Sequence, residues 1–434
     1  MSTDDVEAIR TSIPGPLSLQ LRAGLQRYES RNVAYLADDF PVFWESAQGV
    51  VVTDVDGNRY LDLTSAFGVA NVGHANPYVV SAIADQASRL VHGMGDVHPT
   101  EARSRLLERL VQILPAGLDK AFLSTTGSEA VEAAMKTAVL ATGKPAFAAF
   151  AGGYHGLSLG ALELCGIEKF RTPFAEVLPN TTLLLEYPRA GATSAAHALA
   201  AMRDRLRGRS DIAAMIVEPI QGRGGCIVPP PGWLPGLRTL CDELHLLLIF
   251  DEIYTGFGRT GSWFAAQHED VVPDIICVGK ALGGGFPISA TVARGKIMDA
   301  WPLSSGEALH TSTYLGNPMG AAAALATIGE LERGRLVERA ERLGVPLGER
   351  LAVLRRLACV REVRGRGLLW GIELANGALA ARVVAQALAL GVITLQSGPT
   401  GNVLVVAPPL VIGERQLDRA IDLLERAIAQ TEAL

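Results

Sequence analysis

Between about residues 121 and 320, short apolar runs alternate with helical patterns, and this constrains the fold of the 434-residue chain more than any other feature. KAFLSTTG precedes SEAVEAAMKTAVL and AFAAFAGG, and AAMIVEPIQG, LLLIFDE and DIICVGKAL follow in the same manner. Several runs are apolar at successive positions, the composition of strands covered on both faces in a parallel sheet. Strand–helix alternation of this kind predicts an α/β domain with helices on both sides of a mostly parallel sheet.

The flanks read differently. Roughly the first sixty residues end in VVVTDVDGNRYLDL, where alternating apolar residues around Asp56-Gly57 signal a hairpin. Beyond Pro318 an Ala/Leu/Glu/Arg-rich stretch is strongly helical. It leads to VREVRGRGLLWGIEL and VLVVAPPL, which read as strands, and to an amphipathic closing helix, RQLDRAIDLLERAIAQ. The expected division is an N-terminal segment over 1–62 that belongs with a smaller α+β domain over 326–434, and a large α/β domain over 63–325.

Composition removes several classes. Lys+Arg 39 against Asp+Glu 45 gives a net charge of −6, without any Lys/Arg-rich run, so nucleic acid and anionic membrane are not expected partners. No apolar stretch is long enough to span a bilayer, and the acidic, polar N-terminus lacks the apolar core of a secretory signal. The five scattered cysteines have no C-x-x-C spacing, which argues against a zinc site or a disulfide scaffold and fits a reducing cytoplasm.

In an open α/β sheet, ligands bind outside the carboxyl ends of the strands. The residues following each apolar run are therefore the candidates: Thr126-Gly127-Ser128-Glu129, Gly152-Gly153-Tyr154-His155, Glu218-Pro219-Ile220-Gln221, Asp251-Glu252 and Lys280. Lys280 lies between an apolar strand and the small residues of ALGGGFP. Read blandly it is a surface lysine before a turn; enclosed, its amine loses proton affinity and becomes a nucleophile able to form a Schiff base. Asp251 ends a five-residue apolar run, where a carboxylate either caps the next turn or pairs with a cation such as a pyridinium nitrogen. Thr126 to Glu129 fits a capping box, and the same helix start offers free N–H groups to a phosphate. Tyr154 is either a core aromatic or a ring laid against a planar ligand.

The segment GFGRTG, residues 256–261, matches the G-x-G-x-x-G dinucleotide pattern. A Rossmann site needs those glycines directly after the strand, opening a helix onto the pyrophosphate. Asp251 and Glu252 intervene and would repel it, so GFGRTG reads as a turn.

A phosphate loop, a stacking aromatic, a buried acid and a nucleophilic lysine describe a pyridoxal-phosphate site. Their order and wording resemble the class III (ω-) aminotransferases, which include the 4-aminobutyrate, ornithine and acetylornithine enzymes. The resemblance covers nearly the whole chain, through VTDVDGNRYLDLTSAFGVANVGHANP, TGSEAVEAAMKTA, GGYHG, EPIQG, FDEIYTGFGRTG, PDIICVGKALGGGFP, HTSTYLGNP, VRGRGLLWGIEL and APPL. A DEIxxGFGRTG with a lysine 29 residues after the Asp (280 − 251) is its most specific element. The resemblance implies the aspartate-aminotransferase-like fold and pyridoxal 5′-phosphate as cofactor. In it, Lys280 carries the cofactor as a Schiff base and moves the proton, and Asp251 pairs with the pyridine nitrogen. Gly127 and Ser128 hold the phosphate, Tyr154 and Ile253 cover the two ring faces, and Gln221 reaches the ring hydroxyl. His155 and Glu218 have supporting roles. Thr313 reaches the phosphate of a neighbouring subunit, which implies a homodimer with interfacial sites, or a tetramer built from it.

Two departures bear on the substrate. The family's acid in EPxQGEGG is replaced by Arg223 in EPIQGRGG, and the arginine before APPL by Val405. Tyr254 stands where many members place Gln. Arg223 is either a carboxylate anchor, through its bidentate fork, or a solvated loop arginine. Phe67 and Trp44 are expected to wall an apolar part of the pocket. The expected reaction moves an amino group from an amine or ω-amino acid to a 2-oxo acid by a ping-pong mechanism. The rivals are a racemase, epimerase or decarboxylase using the same cofactor residues, and a nicotinamide-dependent dehydrogenase built on GFGRTG.

Overall fold

The computed structural model describes residues 7–37 and 40–433. Its centre is a seven-stranded sheet whose spatial order is Lys120–Ser124, Ser289–Ala293, Ile275–Val278, Leu247–Asp251, Ile212–Val217, Ala146–Phe150 and Leu183–Leu185. Strand Ser289–Ala293 is antiparallel to both its neighbours, and the other adjacent pairs are parallel. Ala146–Phe150, Ile212–Val217 and Ile275–Val278 are buried at every position, as their unbroken apolar composition requires of strands covered on two faces.

Helix Gly127–Thr142 covers one face. It starts with a capping box in which the Thr126 hydroxyl accepts the Glu129 N–H while the Glu129 carboxylate accepts the Thr126 N–H. Helix Trp233–Leu244 packs through Trp233, Leu237 and Leu240 into the larger hydrophobic cluster, which also takes in helices Pro318–Arg333 and Glu414–Glu432.

Two four-stranded sheets flank this core. One is the meander Trp44–Gln48, Val51–Asp54, Arg59–Asp62, extended in parallel by Val392–Ile393 from the far end of the chain. Its second turn is the hairpin expected at Asp56-Gly57, with Asp54 Oδ1 accepting the N–H groups of Asp56 and Asn58. The other joins Val360–Arg366, Leu369–Leu374, Val403–Val406 and Leu395–Ser397, all antiparallel. All five cysteines are buried and free. Among the described residues no helix is long and apolar enough to cross a membrane.

GFGRTG forms turns after the strand and opens no helix. Arg259 points inward and is fully buried, donating to the carbonyls of Leu368 and Pro408 and to Ser65 Oγ and Asn71 Oδ1. Burial lowers its pKa to about 10, which the charge of Asp62 only partly offsets. The segment that imitates a nucleotide loop is thus a clasp between the central sheet and the C-terminal strands.

Candidate active site

Four adjacent parallel strands end along one edge, and the residues just past them line a cavity of about 810 Å³. Strand Ala146–Phe150 delivers Tyr154 and His155, Ile212–Val217 delivers Glu218, Leu247–Asp251 delivers Asp251 and Ile253, and Ile275–Val278 delivers Lys280. Gly127 and Ser128 face the same cavity from the start of their helix. Glu129 N–H is taken by Thr126, so the N–H groups of Gly127 and Ser128 are the helix start's remaining donors without an intrahelical acceptor.

Asp251 is 4% exposed; its Oδ2 lies 2.7 Å from His155 Nδ1 and its Oδ1 accepts the Ile253 N–H at 3.1 Å. Burial pulls the His155 imidazole down, but its bond to Asp251 and the charges of Asp251 and Glu218 outweigh that and raise its pKa. Glu218 accepts the N–H groups of Tyr154 and Gly222, each at 2.9 Å, and so ties the Tyr154 loop to the Arg223 turn. Burial, aided by the charge of Asp251, pushes its carboxyl up to about 7.

Lys280 adopts φ +43°, the left-handed region that non-glycine residues enter only under constraint. Among the described residues its ammonium has no hydrogen bond or ion pair. It lies 5.0 Å from the centre of the Tyr254 ring. Burial lowers its pKa, against the opposing pull of Asp251 and Glu218. Tyr254 is clamped in turn: a Cβ on Gly68 would lie 2.3 Å from one edge of its ring, and a Cβ on Gly222 would lie 2.2 Å from the other. Only glycine lets both backbones come this close.

Arg223 lines the cavity, with Nη1 donating to the Gln396 carbonyl at 2.7 Å. Val405 is part of the wall. Phe67 stands at the mouth, 66% exposed, on a run of four left-handed residues, Ser65 to Gly68. The three non-glycine residues of the run cost about 1–2 kcal/mol each. The run is held by Thr64 Oγ1, which accepts the Ala66 N–H, and by Ser65 Oγ, which donates to the Ala407 carbonyl and accepts from Arg259.

Three candidates lie off the main cavity. Gln221 is buried behind the lining, its Nε2 donating to the Ala151 carbonyl at 2.8 Å. Trp44 sits edge-on to His74 and lines a smaller neighbouring cavity. Thr313 is exposed on the loop that precedes helix Pro318–Arg333. The structure also adds residues that sequence reading passed over: Tyr35 and Phe40, and Ala381, Arg382, Val384 and Ala385 of helix Gly377–Ala389. One signal was available for the helix. GALAARVVAQALA is apolar nearly all round, as a helix is when more than one face meets protein.

These residues fit pyridoxal phosphate. His155 Nε2 is buried with no partner, Lys280 presents an unengaged amine, and the helix start supplies donors for a phosphate beside a carboxylate suited to a ring N–H.

The aminotransferase class-III family model matches residues 33–428. The chain is 38% identical to an acetylornithine aminotransferase of Methanosarcina mazei over 94% of its own length and 98% of that protein's. It is 35% identical to a 4-aminobutyrate aminotransferase of Mycobacterium leprae, over 98% and 99% respectively. A solved transaminase from the marine bacterium Virgibacillus superposes with a TM-score of 0.90 at 28% identity, covering 95% of this chain and 99% of the other. The rival readings as racemase, decarboxylase or dehydrogenase fall away with this match. The chain belongs to the class III aminotransferases and is a pyridoxal-phosphate-dependent transaminase.

Proposed function

We propose that the donor is an amine or ω-amino acid, the acceptor a 2-oxo acid, and that Arg223 binds a substrate carboxylate. The observation that carries this reading is a half-buried guanidinium in the cavity wall that, among the described residues, bonds only a carbonyl, while the cavity's acids are otherwise engaged. One fork position is held by Gln396, which orients the others for a carboxylate. The 4-aminobutyrate and acetylornithine relatives support a donor whose amine lies away from its carboxylate or at the end of a chain.

When bound, pyridoxal phosphate supplies an aldehyde for the amino group and a ring that takes up electrons from the broken bond. The N–H groups of Gly127 and Ser128 would hold its phosphate, and Tyr154 and Ile253 would enclose its ring. Gln221 braces the Tyr154 loop through Ala151. Asp251, steadied by His155, would present its carboxylate to the ring N–H. Lys280 Nζ, with its proton affinity lowered by burial, would accept a proton from the donor's reacting carbon and return it two atoms away, on the far side of the amino nitrogen. Each half-reaction uses the same proton carrier.

A second copy of the chain completes the site in this reading. Segments 90–98 and 303–317 meet through His92 and Tyr314, and expose Val91, Met94, Val97, Leu303 and Leu309. An apolar surface of this kind suits burial against a partner. Thr313 lies within it and would serve the neighbouring subunit's phosphate.

The test is the visible spectrum of purified holoenzyme, read before and after each of a panel of donors, with no oxo acid present. Bleaching of the yellow band by amines or ω-amino acids, and its return on adding a 2-oxo acid, is the expected result. Bleaching only by α-amino acids would overturn the donor assignment.

A further inference from the structure

A cavity of about 100 Å³ adjoins the main one, and Phe40, Val384 and Leu395 line both. The rest of its wall is Val42, Trp44, Leu388, Val392, Ile393 and Thr394. Among the described residues of its wall Thr394 is the only side chain with a hydroxyl, and that group already donates to the Val405 carbonyl at 2.8 Å. The Trp44 indole meets His74 edge-on. Water placed here would find few partners beyond the Trp44 indole N–H, so an apolar group can displace it at little cost. A hydrocarbon group would exchange water for apolar wall on entering.

The position of this pocket relative to the carboxylate anchor gives it a use. Leu395 is shared by the two cavities, and the next residue, Gln396, is the one whose carbonyl holds Arg223. Helix Gly377–Ala389 adds Val384 to both cavities and Leu388 to the smaller one, and its start is pinned by Gln396 Nε2 on the Gly377 carbonyl. The carboxylate anchor and the pocket entrance are therefore built on adjoining residues. A substrate held by Arg223 has an apolar exit beside its carboxylate.

We infer that this side pocket receives an aliphatic arm of the carboxylate-bearing substrate, a chain or small branch of about four carbons. The assignment rests on the reading of Arg223 as carboxylate anchor. The size follows from volume, since this cavity is about two-thirds of the roughly 150 Å³ that holds a benzene ring. Val405, which replaces a charged family residue with an apolar one, suits the same substrate.

The probes are straight-chain monocarboxylates from acetate to heptanoate, titrated into holoenzyme by calorimetry. They bind without reacting, so the readout is independent of turnover. Affinity should rise about fourfold per methylene and level off once the pocket is full. Leu388→Phe should flatten that rise and Leu388→Ala should extend it by one or two carbons. A folding defect would weaken all lengths alike and could not move the plateau in opposite directions. Absence of binding at any length, a flat series in the unaltered enzyme, or a rise untouched by both variants would overturn the pocket. Failure of every donor to bleach the cofactor band would instead overturn the amine-transfer reading, so the two failures are told apart.

Discussion

The floor of the cavity comes from the carboxyl ends of four neighbouring parallel strands, whereas its mouth comes from Tyr35, Phe40, the left-handed run at 65–68, Arg223 and helix Gly377–Ala389. The floor concentrates ionisable groups, among them Asp251, His155, Glu218 and Lys280, in places where burial shifts several of them. The mouth is mostly aromatic and aliphatic, with Arg223 and Arg382 as its cations. This division separates chemistry from choice. Strand ends in one sheet are fixed relative to one another by their hydrogen-bond ladder, which suits groups that must hold a proton at a defined atom. Segments docked from distant parts of the chain can change without disturbing that geometry.

The largest expected effect tests the floor. Lys280→Ala should lower the rate of the donor half-reaction by on the order of 10⁴-fold or more, because it removes the only lysine among the cavity's lining residues and with it the proton carrier. Single-turnover absorbance with a saturating donor measures this. Thermal unfolding of the cofactor-free chain should change little, since the Lys280 ammonium makes no hydrogen bond or ion pair among the described residues. A variant that kept a tenth of the rate would show that the floor does not carry the proton transfer.

A smaller effect belongs to the mouth. Arg223→Ala should raise KM for the carboxylate-bearing substrate about 10- to 100-fold, the range of a lost charge-assisted hydrogen bond. kcat should change much less, as it does when an interaction shared by ground and transition states is removed. A simple amine without a carboxylate is the control, and its KM should be unaltered. Equal changes for both substrates would place Arg223 in the framework, holding the Gln396 strand against the Tyr154 loop, and would dissolve the separation between floor and mouth at this residue.

The two regions also differ in how far they could be read from sequence. Asp251 and Lys280 follow runs of apolar residues, and the rule that ligands gather beyond the carboxyl ends of parallel strands places them together without coordinates. GFGRTG could be assigned as a turn from local order alone, because two acids separate it from its strand. That Arg259 turns inward to bond Leu368 and Pro408 could not, since those carbonyls lie more than a hundred residues away. Tyr35, Phe40 and Arg382 escaped notice for the same reason: nothing in their local sequence says which cavity they face. Trp44 is expected with Phe67 in the wall of the main pocket, yet the hairpin strand that carries it directs it to the smaller pocket. Gln221 shows a finer limit. Its strand-end position is legible, but the choice of the Ala151 carbonyl as partner depends on the neighbouring loop.

The smallest predicted effect concerns pH and again sets floor against mouth. Glu252 lies beneath the floor, fully buried, accepting from Thr255 Oγ1 and from the N–H groups of Ala265 and Ala266. Burial outweighs these three bonds and pushes its carboxyl up to about 7, from an ordinary value of 4.5. Between those values the folded chain retains a proton that the unfolded chain has released, so this group's contribution to stability is complete below about 4.5 and is lost as pH rises toward 7. Glu218 is raised to about 7 as well and acts in the same window and direction. Asp56 and Glu373 are held low by their hydrogen bonds, so their contributions change at the acid side of this window. Glu252→Gln carries no titrating proton there. It should change stability little at acid pH, where the protonated acid, like an amide, keeps a single carbonyl oxygen as its main acceptor. It should also flatten the slope of unfolding free energy against pH between 5 and 7 by about one proton. Urea unfolding at several pH values measures that slope. Substitutions at the mouth, such as Phe67→Ala, remove no titrating group and should leave it alone. An unchanged slope in Glu252→Gln would mean that the buried acid stays ionised across the window, its three donors outweighing its desolvation.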